Sequence, residues 1–163
     1  PFFSQKMDTH QTTTVAIISD SHDLVRPEIE DFLRSSDLVV HAGDVGSDQT
    51  LERFLSLNDD ITLVGGNVDL DTNVSRLPER AILEVEGRSI HIVHDITTFS
   101  PGADAPDIVV FGHSHRPLEE KKGNTLYVNP GSIGPRRFSL PISYASLDLA
   151  EDVFSLQFHT IAP

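Results

Sequence analysis

Seven side chains of metal-ligand type recur along this chain. They are Asp20 and His22 in Asp-Ser-His, Asp44 after Gly43, Asn67 after Gly66, His94, and His113 and His115 in Gly-His-Ser-His. Each follows an apolar, strand-like run. Four imidazoles, two carboxylates and one amide form a donor set of the kind that two adjacent divalent cations require. Spacing adds a second constraint. Asp20 and His22 are two residues apart, as are His113 and His115, and in extended backbone such pairs turn both side chains to one side. Singly, each has an ordinary structural reading: Asp20 or Asp23 as a turn or helix cap, Asn67 as a left-handed turn residue, His94 as a strand-end histidine. Seven such residues in strand-end positions and in one order favour a shared site over separate structural roles.

The elements that must position them are legible in the apolar pattern. Thr14–Ser19, Leu38–Ala42 and Ile61–Val64 read as buried strands. Between them fall a helix opened by Pro27, with Ile29, Phe32 and Leu33 on its apolar side, and a second helix through Leu51–Leu55. This β-α-β-α-β order predicts parallel strands with helices on a face. Open sheets of this kind place sites at the carboxyl ends of their strands, where Asp20, Asp44, Asn67 and His113 fall. In the second half, Ala81–Val85 and Ser89–Val93 flank Gly87-Arg88 as a hairpin, and Asp107–Phe111 is another buried strand. Further strands are expected at Leu118–Lys121, Thr125–Val128, Ser143–Leu149 and Val153–Thr160. One helix-covered sheet cannot use so many strands, so two packed sheets with helices outside are predicted.

A chain of 163 residues with 38% apolar and 23% charged side chains is expected to form one globular domain over 13–163. Residues 1–12 are expected to be a poorly ordered tail or an expression remnant, with Met7 as the natural start. No apolar run approaches the roughly 20 residues of a membrane span. Without cysteine, disulfides and thiolate metal sites are excluded, and a cytoplasmic location is the default expectation. A net charge of −13 argues against nucleic acid or an anionic membrane as main partner. It leaves room for a small phosphate ester, because two divalent cations would invert the local field.

Asp20-Ser-His22, Gly43-Asp44, Gly66-Asn67, His94 and Gly112-His113-Ser114-His115 together resemble the signature of the calcineurin-like metallophosphoesterase superfamily. His41-Ala42-Gly43-Asp44, Asn129-Pro130-Gly131-Ser132 and Pro141–Ala145 resemble its small, single-domain bacterial and archaeal phosphodiesterase branch. The resemblance implies an α/β (α+β) fold, a four-layer sandwich of two packed mixed β-sheets flanked by helices. It also implies that Asp20, His22 and His115 hold one metal, that Asn67, His94 and His113 hold the other, and that Asp44 bridges them. Donors of N and O without sulfur suit Mn²⁺, Fe, Ni²⁺ or Zn²⁺ better than Mg²⁺ or Ca²⁺, with manganese the first expectation. The implied activity is hydrolysis of a small phosphodiester, or a monoester, by direct attack of a metal-bridging hydroxide, with Asp44 and Asn67 positioning the metals and that hydroxide. Small members of the group often form homodimers.

Two positions depart from the family pattern. Val68 stands where many members carry a histidine that assists the leaving group, which favours esters with good leaving groups. Asp95-Ile96 stands where the family usually has glycine after the histidine, and a turn-capping role is favoured for Asp95. His41 and Asp69 are candidates for ordering the ligands, beside plainer readings as a core histidine and a turn residue. Arg136 and Arg137 are candidates for phosphate contact, beside a plain surface role. The competing reading is a metallophosphoesterase-fold scaffold, catalytically weak or inactive, that binds a protein partner, as some relatives in eukaryotic cargo-sorting complexes do. Scaffolds of that kind typically lose ligands, and all seven are present here. A nuclease is weakened by the acidic charge.

Overall fold

The computed structural model describes residues 11–162. Most of the expected tail therefore lies outside the described residues. The strands are β1 (Thr13–Ile18), β2 (Leu38–His41), β3 (Ile61–Leu63), β4 (Arg80–Val85), β5 (Arg88–Val93), β6 (Ile108–Val110), β7 (Leu118–Lys122), β8 (Thr125–Asn129), β9 (Ile142–Leu149) and β10 (Phe154–Ile161). The helices are α1 (Pro27–Ser35) and α2 (Asp48–Leu57).

Ten strands divide into two mixed five-stranded sheets, ordered β10-β9-β1-β2-β3 and β4-β5-β6-β8-β7. The parallel strands β1, β2 and β3 lie together in the first sheet, and β5, β6 and β8 in the second. Period-2 alternation explains which residues meet between the sheets. Val15, Ile17, Val40, Leu147 and Leu149 of the first sheet pack with Ile90, Ile92, Ile108, Val110, Leu126 and Val128 of the second. The opposite side chains of the first sheet, among them Ala16, Ile18 and Val39, pack with Ile29 and Leu33 of α1 and Leu51, Phe54 and Leu57 of α2.

Local chemistry accounts for the boundaries. Pro27 begins α1 with its φ preset for a helix. Ser47 caps α2, its side chain accepting from the Thr50 N–H. The β4–β5 hairpin turns on Glu86 and Gly87, both at positive φ, as a two-residue primed turn requires. On the outer face of the second sheet, Ile82, His91, Val109 and Tyr127 form one cross-strand row. No α-helix covers that row among the described residues. Phe99 packs edge-on to His91 and Tyr127 from the segment that follows a 3₁₀ turn, Ile96–Thr98.

Candidate metal centre

All seven ligand-type residues converge where the parallel strands of the two sheets end. Asp20 and His22 follow β1, Asp44 follows β2, Asn67 lies in the loop after β3, His94 follows β5, and His113 and His115 follow β6. They form two adjoining groups. In the first, His22 Nε2 lies 3.2 Å from His115 Nε2, and Asp20 Oδ1 lies 3.3 Å from His115 Nε2 and 3.7 Å from His22 Nε2. In the second, Asn67 Oδ1 lies 3.1 Å from His94 Nε2 and 3.2 Å from His113 Nδ1. Asp44 Oδ2 stands between them, 3.2 Å from His94 Nε2 and 3.7 Å from His22 Nε2.

These atoms fit divalent cations. Donors bonded to one ion at about 2.1 Å stand about 3.0–3.4 Å apart, the edge of an octahedron or tetrahedron. The first group also carries an orphan. Asp20 is fully buried; its Oδ2 accepts from Ser19 Oγ–H and from the His113 N–H, while its Oδ1 has no hydrogen-bond partner. A buried carboxylate oxygen facing two imidazole nitrogens and lacking a donor calls for a cation. His94 is oriented for the same task. Its Nδ1–H donates to the Ala42 carbonyl at 2.8 Å, which leaves Nε2 directed at Asn67 and Asp44.

The electrostatics agree. Burial raises the Asp20 carboxyl, but contacts with His115, His22 and Ser19 outweigh it and hold the group well below the usual carboxylate range. Burial likewise raises Asp44, and His94 with the Val68 N–H brings it below its ordinary value. His94 moves the other way: burial lowers it, while Asp44 and Asp20 raise it above its ordinary value. A proton there competes with a cation for Nε2, so ion uptake releases it.

The backbone corrects one expectation. The pairs Asp20/His22 and His113/His115 do not present their donors from extended chain. Asp20, His22, Asp44, His113 and His115 all have positive φ, between 44° and 70°. Left-handed backbone in non-glycine residues costs on the order of 1–3 kcal/mol each and persists only where the surroundings over-determine it. The strand-end loops curl back on themselves, and Asp20, His22 and Asp23 are tied through their N–H groups to the carbonyls of Gly43, Asp44 and Val45.

His41 and Asp69 contact residues adjacent to the ligands rather than the donor atoms themselves. His41, fully buried, pairs through Nε2 with Ser21 Oγ at 2.9 Å and accepts at Nδ1 from the Gly43 N–H. It thereby joins the Asp20–His22 loop to the Gly43–Asp44 loop. Asp69 accepts from the Gly46 and Gly66 N–H groups, both at 2.8 Å, tying the Asp44 loop to the Asn67 loop. Asp95 caps the Ile96–Thr98 turn through the Thr97 N–H. Arg136 and Arg137 are exposed and line a shallow depression beside His115; Arg136 Nε–H donates to the Leu140 carbonyl. Sequence reasoning did not single out Ser19, Arg26 or Arg80. Arg26 braces the segment after the Asn-Pro-Gly-Ser motif through the carbonyls of Ile133 and Gly134. Arg26 and Arg80 carry no local signal, since their partners come from distant segments, and Ser19 is matched to its neighbour Asp20 only by the turn of the backbone.

His41 gives a pH-dependence test. Burial dominates and pushes its imidazole down to about 4, against 6.5 in the unfolded chain. Unfolding therefore takes up a proton between these values, so stability is fully present above 6.5 and drains away as pH falls towards 4. The drop corresponds to about 3 kcal/mol. His41→Gln should flatten the pH dependence of metal-free stability between 6.5 and 4.5, measured by urea unfolding. An unchanged slope would refute the assignment.

Two mixed sheets with a nitrogen–oxygen donor cluster at their strand ends define the architecture of a phosphoesterase. The chain belongs to the calcineurin-like phosphoesterase superfamily, whose domain model matches residues 14–152. It is a hydrolase by membership in that family. It is 31% identical over 156 residues to the probable metallophosphoesterase YsnB of Bacillus subtilis, covering 89% of each chain. To a phosphodiesterase of Methanocaldococcus jannaschii it is 27% identical over 136 residues, covering 72% of this chain and 82% of the relative. Among solved structures, a predicted phosphoesterase of Streptococcus pneumoniae superposes with a TM-score of 0.71 at 26% identity, covering 92% of this chain and 90% of that one. Vps29 of Chaetomium thermophilum shares the fold alone, with a TM-score of 0.77 at 17% identity over 91% of this chain and 89% of that one.

Proposed function

We propose that this protein is a phosphodiesterase acting on small phosphodiesters with two divalent cations, manganese first among them. The single observation that carries this reading is Asp44, whose Oδ2 faces one imidazole from each donor group. Asp20, His22 and His115 would hold one ion, Asn67, His94 and His113 the other, and Asp44 both. Bound there, the pair supplies Lewis-acid charge that clamps phosphoryl oxygens and lowers the pKa of water.

The chain's own residues supply the rest. The buried carboxylate of Asp20 and the fixed ring of His94 are preorganised, so little reorganisation is needed during the reaction. Val68 offers no proton to a leaving alkoxide; its N–H is engaged by Asp44 Oδ1. Turnover should therefore favour diesters with acidic leaving alcohols. Arg136 and Arg137, beside His115, are assigned to an anionic oxygen of the substrate. The catalytic unit is the domain 13–163.

Reconstitution tests the reading. Metal-free protein reloaded with Mn²⁺, Zn²⁺ or Ni²⁺ should bind two equivalents by elemental analysis. It should hydrolyse bis(p-nitrophenyl) phosphate faster than p-nitrophenyl phosphate. Fully loaded protein inert to both esters would instead favour the scaffold reading.

A further inference from the structure

One flank of the metal centre is unused by the donor set. A cleft of about 410 Å³ opens beside Asn67, His94 and His113 and runs past Val74 and Leu77 to Arg80. That volume lies within the range of small-molecule sites. Arg80 is the only lysine or arginine among the described residues that line it.

The guanidinium is held rather than free. Its Nη2–H donates to the Thr98 carbonyl at 2.6 Å. Thr98 belongs to the 3₁₀ turn capped by Asp95, whose Oδ1 accepts from both the N–H and the Oγ–H of Thr97. Thr98 Oγ–H returns to the Asp95 carbonyl. Asp95 directly follows His94, so a run of five residues links the metal centre to the arginine. One hydrogen bond of the guanidinium is spent, and four N–H donors remain in a planar fork suited to a carboxylate or phosphate. The acids of the cleft restrict where an anion can sit. Asp69 has each carboxylate oxygen engaged by a backbone N–H, of Gly46 and of Gly66, and Glu79 and Asp95 repel negative charge elsewhere along the wall.

We propose that Arg80 is a specificity-determining residue whose guanidinium binds an anionic group, phosphate or carboxylate, on the alcohol portion of the diester. This rests on the phosphodiesterase reading and narrows its substrate class to diesters bearing a second anion beyond the scissile phosphate. Asp95 is a positioning residue for Arg80, and the departure from glycine after His94 has a purpose in this arrangement.

Two substrate pairs test it: a thymidine dinucleotide with and without a terminal 5′-phosphate, and glycerophosphoserine against glycerophosphoethanolamine. Wild type should prefer one anion-bearing member by roughly tenfold in kcat/KM, as a charge-assisted hydrogen bond allows. The preferred pair tells phosphate from carboxylate. In Arg80→Met that ratio should fall to near one, and Arg80→Lys should recover part of it; matching melting temperatures would confirm folding of both. Absence of preference in wild type, or an unchanged ratio in Arg80→Met, overturns the proposal. If loaded wild type cleaves no diester, the phosphodiesterase reading fails instead. Calorimetric binding of the same dinucleotides to wild type and Arg80→Met then decides the role of Arg80 by the same ratio.

Discussion

Asp44→Asn should lower turnover of a chromogenic phosphodiester by roughly 10²–10³-fold, the scale of losing one preorganised electrostatic contact. It should also reduce bound metal below two equivalents. The substitution isolates charge. Asn has nearly the same shape, and it tolerates the left-handed backbone at this position, where φ is 56°. Asp44 Oδ1 accepts from the Val68 N–H at 3.0 Å while Oδ2 faces His94 and His22. An amide can supply only one acceptor atom. If its oxygen keeps Val68, its NH₂ points at the imidazoles, where a cation must bind; if it turns round, NH₂ meets N–H. The first orientation loses the bridge, and the second keeps an oxygen there but gives up its charge and the Val68 hydrogen bond. Metal content by elemental analysis and steady-state kinetics on one preparation would check this. Two retained metals with unchanged kcat would refute the role of Asp44.

Gly66→Ala is expected to have the second large effect, on fold and site together. A Cβ at Gly66 would stand 2.1 Å from Asp44 Oδ1 and 2.3 Å from the Asp44 backbone nitrogen. The second contact is with main chain held by neighbouring loops, so the Asn67 loop must move outward. Overpacking of this kind costs about 1–3 kcal/mol, or about 2–12 °C in melting temperature for a domain of this size. Displacing Asn67 relative to Asp44 should further reduce activity about 10²-fold, the cost of misplacement on the order of 1 Å. Gly102→Ala is the internal control, because its Cβ meets nothing within 4 Å. Thermal unfolding of both variants tests the contrast. Equal melting temperatures would show that the loop absorbs the methyl group.

Much of the fold was legible because its signals are local. Continuous apolar runs rich in β-branched residues, such as Thr14–Ile18 and Leu38–His41, read as buried strands, and Pro27 marks a helix start. Their alternation forced a parallel arrangement, and the surplus of strands forced a second sheet. Covering of the second sheet was less legible. The outer row through His91 and Tyr127 is shielded partly by Phe99, and a loop aromatic carries no periodic signal.

The candidate metal centre divides along the same line. Residue type and order by themselves determined the candidate donors: seven ligand-type side chains, each after a strand-like run, in the order of one superfamily. Tertiary structure alone decided how those donors are aimed. Left-handed backbone at five of the seven, the orphaned Asp20 Oδ1, the His94 tautomer and the bracing by His41 and Asp69 all depend on contacts between segments far apart in sequence. The two-residue spacing of Asp20/His22 and His113/His115 suggested extended chain because period-2 geometry is the local default. Packing of the strand-end loops against one another overrode it, holding the donors in a conformation that neither segment would favour alone.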